Sequence, residues 1–151
     1  LLWCKECDPL RMIEGWTSGN SVIDKFIKDT MYEMYDQRNE KYPRFLEWVP
    51  FDRFTDIKEI SEGGFAKVYS ATWIDGKSKF YKQYDGGWKK SNPKPMKVAL
   101  KRLNGSRNMS AKYCSELKAH WDFYLTGYGT LKLLKFYGIT KDPETKDFIM
   151  I

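Results

Sequence analysis

Two adjacent glycines, Gly63 and Gly64, separate the strand-like runs Phe54 to Ile60 and Lys67 to Trp73, so the chain must double back between them. A third strand-like run, Met96 to Leu103, follows after Ile74 to Pro95. That intervening stretch holds Asp75-Gly76, Asp85-Gly86-Gly87, Asn92-Pro93 and Pro95, the chemistry of a long loop insertion. Asn104 to Asn108 is a turn, and Ser110 is placed to cap a helix reaching about Tyr124. Tyr113, Leu117, His120, Trp121 and Tyr124 fall on its buried side, and Gly127 and Gly129 end it. Two more strands, Lys135 to Thr140 and Phe148 to Ile151, flank the polar loop 141–147. Three strands, a helix and two strands predict an α+β fold: a five-stranded antiparallel sheet with one packed helix.

A helical extension precedes this unit. From Val22 to about Tyr35, Val22, Ile23, Phe26, Ile27, Met31, Met34 and Tyr35 recur at helical spacing, with Asp24, Lys25, Lys28, Asp29, Glu33 and Asp36 on the wet face. Asn20 or Ser21 supplies the N-cap. Pro43 ends the helical pattern, and Phe45 to Phe51 reads as an extended connector. The expected division is an N-terminal extension over 1–50 and a domain over 51–151.

Composition narrows the class of protein. In a chain of 151 residues, 42% hydrophobic and 17% aromatic residues suffice for a core, while 30% charged residues mark a chain made for water. No apolar run approaches a bilayer span and no signal-peptide pattern opens the chain, which sets the expectation of a cytoplasmic protein without a membrane partner. The net charge of +6 comes from lysines scattered among carboxylates, a solvated basic surface rather than a nucleic-acid face. Cys4 and Cys7 have the spacing of half a zinc ribbon, or are two free thiols. Cys114 stands alone on the later helix.

The chemistry concentrates on three features in order. Gly63 and Gly64 let the backbone approach a phosphate with no side chain in the way. In Val98-Ala99-Leu100-Lys101 a strand holds one ammonium among small and apolar residues. A carboxylate on the following helix could steady that lysine. Between Arg102 and Lys141 only Glu116 and Asp122 are acidic, and Glu116, mid-helix, is the choice. His120, the sole histidine, is expected to be a packing residue.

With these residues on view, a resemblance appears. Ile60-Ser61-Glu62-Gly63-Gly64-Phe65-Ala66-Lys67-Val68-Tyr69 resembles the glycine-rich loop of eukaryotic protein kinases, and Val98-Ala99-Leu100-Lys101 resembles their V-A-I-K strand. Glu116 falls where that family carries its helix glutamate. The resemblance covers Phe51 to Ile151 and implies a kinase-like small lobe. Trp16 to Asn20, Leu46-Glu47-Trp48, the Trp-containing insertion and Leu134 to Gly138 are more narrowly similar to the tyrosine-kinase-like proteins expanded in arbuscular mycorrhizal fungi.

What the resemblance implies is an ATP-binding lobe of an enzyme that phosphorylates Ser/Thr or Tyr hydroxyls of a protein substrate. Ile60, Val68 and Ala99 would contact adenine. The loop formed by Ser61, Glu62, Gly63, Gly64, Phe65 and Ala66 would cover the phosphates. Lys101 would bind the α- and β-phosphates, and Glu116 would hold Lys101 in place. Two departures stand out: Ser61 and Ala66 occupy the first and third glycine positions. Neither H-R-D-L-x-x-x-N nor D-F-G occurs in the sequence, so the Mg²⁺ ligands and the catalytic aspartate are missing from it and this stretch alone is expected to be inactive. The alternative is a pseudokinase or scaffold that keeps the fold for interaction and regulation. Leu1 at the start and the apolar Phe148 to Ile151 at the end suggest a fragment of a longer kinase, with its last strand left uncovered.

Overall fold

The structure, a computed structural model, describes residues 15–33, 44–77, 80–85, 88–90, 94–126 and 135–151. Among the described residues the fold is α+β, with two α-helices and a six-stranded, mostly antiparallel open sheet containing one parallel pair. The strands are β1 (Glu47–Trp48), β2 (Phe54–Glu62), β3 (Ala66–Trp73), β4 (Phe80–Lys82), β5 (Trp88–Lys90), β6 (Met96–Leu103), β7 (Gly138–Lys141) and β8 (Phe148–Met150). The helices are α1 (Ser21–Tyr32) and α2 (Ala111–Thr126). Across the main sheet the order is β1-β7-β8-β6-β3-β2, while β4 and β5 form a separate hairpin.

Five of the six strands are those read from the sequence. The sixth is β1, inside the stretch expected to be a bare connector. It pairs parallel to β7 through Glu47 with Gly138 and Trp48 with Ile139. Two residues carry too little pattern to announce a strand, and the fit depends on a missing side chain. A Cβ at Gly138 would lie 2.4 Å from the Glu47 carbonyl oxygen. The insertion between β3 and β6 also differs from expectation, since it contains β4 and β5.

Each face of the sheet carries a buried cluster. Alternation along β6 sends Lys101 and Leu103 to one side and Val98 and Leu100 to the other. On the first side α1 and α2 share one core: Ile23, Phe26, Ile27 and Met31 from α1, Leu117 and Trp121 from α2, with Leu103, Ile139, Phe148 and Met150 from the sheet. Of the apolar residues expected on α1, Val22 is exposed, and Met34 and Tyr35 lie outside the described residues. The second side gathers Val49, Phe54, Ala71, Trp73, Val98, Leu100, Ile149 and Ile151. Residues 23–31 and 45–49 thus share cores and a sheet with the rest of the fold.

The closing run is not bare. Phe148, Ile149, Met150 and Ile151 are all buried, because β6 and β7 flank β8 and the two cores cover its two faces. Asn20 caps α1 as expected, its side-chain oxygen accepting from the N–H groups of Val22 (2.9 Å) and Ile23 (3.2 Å). Cys4, Cys7, Gly127 and Gly129 lie outside the described residues. No helix among the described residues is long and apolar enough to cross a membrane.

Candidate functional site

The register between β3 and β6 builds the site. Ser70 faces Ala99, Val68 faces Lys101 and Ala66 faces Leu103, so all six residues share one face of the sheet. Exposure falls along this row. Ala99 is exposed and Val68 and Lys101 are half-buried, while Leu103 is fully buried beneath the helices. Helix α2 covers one end of the row and leaves the other open, which makes a shelf beside the helix.

Lys101 stands where the shelf meets α2. Its Nζ lies 3.2 Å from Glu116 Oε1, and their side chains are 31% and 33% exposed. His120, one helical turn beyond Glu116, brings Nε2 to 2.9 Å from the same Oε1 and to 3.5 Å from Lys101 Nζ. The histidine expected as packing is therefore a second partner of the glutamate. Its i, i+4 spacing from Glu116 was the signal available in the sequence. Burial pushes the Glu116 carboxyl up. Hydrogen bonds from His120 and Lys101, with their charge, outweigh that and hold it below the usual glutamate range. Asp122, the other acid on α2, is exposed.

The glycine turn closes the hairpin of β2 and β3. Gly63 N–H donates to the Ala66 carbonyl at 2.8 Å. The Asn104 side chain donates to the carbonyls of Gly63 (3.2 Å) and Gly64 (3.4 Å), and Asn104 N–H donates to the Phe65 carbonyl at 2.9 Å. Among the described residues, no backbone carbonyl takes the N–H of Gly64 or Phe65. Neither glycine has a positive φ. A Cβ on Gly63 would make an ordinary contact at 3.7 Å, and one on Gly64 would meet nothing within 4 Å. The fold would accept side chains at both positions, so these glycines leave backbone open without serving the turn.

The remaining candidates divide. Ser61 and Glu62 are exposed at the end of β2, paired with Val68 and Lys67. Ile60 lies where the register slips between Glu59 and Ser61, and is 61% exposed. Phe65 and Ala66 are half-buried and pack against the core on the α2 side. Val68, Ala99 and Lys101 are thus brought together with Glu116 and His120, while Ile60 sits on the neighbouring strand at a bulge. Among the described residues no three His, Cys, Asp or Glu side chains are grouped to hold a metal ion. Comparison with protein-family models and with characterised proteins finds no match for this chain.

Proposed function

We propose that this chain is the nucleotide-gripping lobe of a protein kinase, with Mg-ATP as ligand and protein Ser/Thr or Tyr hydroxyls as acceptors in the complete enzyme. The observation that carries the reading is the ion pair of Lys101 and Glu116 at the end of an open shelf. An ammonium steadied by a carboxylate from a separate helix is pre-aimed, and an aimed cation on an apolar shelf suits a polyphosphate attached to a flat base. In this reading Val68 and Ala99 lie against the base, with Ile60 at its edge. The turn from Ser61 to Ala66 covers the phosphates with the Gly64 and Phe65 N–H groups available to donate. Lys101 neutralises the α- and β-phosphates while Glu116 fixes its direction. His120 holds the same Glu116 oxygen that Lys101 does. Magnesium arriving with the nucleotide would supply charge balance for the phosphates, and the residues of this chain supply no step beyond binding and orientation.

The alternative, a pseudokinase or scaffold, is favoured by Ala66 and by the Gly63 N–H. Ala66 occupies a glycine position of the loop motif yet packs against the core, and the N–H is spent on the Ala66 carbonyl. Titration of the chain with Mg-ATP by calorimetry separates the two. The kinase-lobe reading expects saturable binding that weakens at least about tenfold in Lys101→Met, the loss of one charge-assisted contact. No binding by the wild type, or the same affinity in the variant, would overturn it.

A further inference from the structure

The glycine turn and α2 are joined by a contact that the loop motif does not require. The Phe65 ring stacks on Tyr113 in the first turn of α2, with centroids 5.5 Å apart and planes at 22°. Lys112 Nζ lies over the Phe65 ring, 5.0 Å from its centroid. The Tyr113 hydroxyl donates to the Asn104 carbonyl, and the Asn104 side chain donates to both glycine carbonyls. Three successive groups therefore run from the turn to the helix. Tyr113 is also one helical turn from Glu116, which holds Lys101.

We infer that Phe65, Asn104 and Tyr113 form a tether through which the position of α2 is transmitted to the glycine turn. Helix and turn then move together. Whatever draws Glu116 from Lys101 also lifts the turn from the shelf, so one displacement removes both the aimed cation and the phosphate cover. Tyr113 is a positioning residue in this scheme, since it touches neither Lys101 nor the shelf. The meaning for nucleotide rests on the function proposed above, but the tether itself belongs to the free chain.

Amide hydrogen exchange on the full chain without nucleotide tests it, read separately over 62–66 and 111–120. Glu116→Gln weakens the hold on α2 at a partly exposed site and should speed exchange in the helix by about two- to fivefold. The tether predicts that the turn accelerates as well. It further predicts that in a Phe65→Ala background the helix still responds to Glu116→Gln while the turn responds less, and that Phe65→Tyr, which keeps the ring, restores the full response. A turn indifferent to Glu116→Gln, or one that responds equally with and without Phe65, would overturn the tether. Because no nucleotide is present, that failure would leave the Mg-ATP titration untouched, and a failed titration would leave the tether standing.

Discussion

At the scale of single residues, the site combines groups whose value to stability is small. An ion pair a third exposed to water is screened, and pairs of that kind contribute about 0–1 kcal/mol. Lys101→Met should therefore leave the midpoint of urea unfolding almost where it was. A large drop would mean that the pair is structural and would remove the main support for the nucleotide reading. Gly64 gives a sharper contrast. Its backbone suits any L-residue and a methyl group there meets nothing, so Gly64→Ala should hold or raise stability by about 0.4–1 kcal/mol through the unfolded chain. If the turn covers phosphates, the same substitution should weaken Mg-ATP binding, because the methyl group stands where the ligand approaches. Unchanged stability with unchanged affinity would show that the turn covers nothing. Lys101 and Glu116 were legible in the sequence because a lone strand lysine and a mid-helix acid leave few partners to choose from. The part played by His120 was not: an imidazole four residues from an acid also suits a core, and only the helix orientation decides between them.

At the scale of elements, helix ends and apolar strand runs were the legible parts. Met96–Leu103 was readable as a strand because an apolar run lies between the loop ending at Pro95 and the turn starting at Asn104, and the start of α1 because Asn20 stands ahead of an amphipathic run. β1, β4 and β5 were hidden, being two or three residues each with no period to detect. The start of α1 also holds more than its cap. Asp24 accepts from Ser18 N–H (2.8 Å), Ser18 Oγ (2.5 Å) and Thr17 Oγ1 (2.6 Å), folding the approach chain onto the helix. Burial raises the Asp24 carboxyl, but those bonds and the Lys28 charge outweigh it, and its proton affinity lies below the ordinary aspartate value of 3.8. A group so depressed stabilises the fold above that value, and the contribution disappears as pH falls through its folded value. Asp24→Asn should therefore destabilise the chain at neutral pH, with the difference from wild type closing below about pH 4. Urea melts across that range measure it, and a pH-independent difference would show that the carboxylate charge is not involved. Asn20→Ala should cost about 1 kcal/mol, read in the same melts.

At the scale of the whole molecule, α1 and residues 45–49, ahead of the first long strand, belong to the fold. Ile23, Phe26, Ile27 and Met31 complete the core above the sheet, Val49 joins the core below it, and β1 adds an edge to the sheet. Phe26→Ala should cost about 3–5 kcal/mol, the range for a buried aromatic removed to a cavity. A chain beginning at Phe51 should lose its cooperative melt, and an unaltered melt would show the segment to be an appendage. The opposite margin has a consequence of another kind. β2 is the outermost strand there, nine residues long with all but Phe54 exposed. Its pairing with β3 slips twice, between Thr55 and Lys58 and between Glu59 and Ser61, and Asp56 takes a left-handed φ of 52°. An incoming strand would find its hydrogen-bond ladder out of step and would meet Asp56, Lys58 and Glu59. These two irregularities act as a guard against stacking of one molecule on another. Straightening them, more than enlarging either core, is what would open this margin to the addition of a further strand.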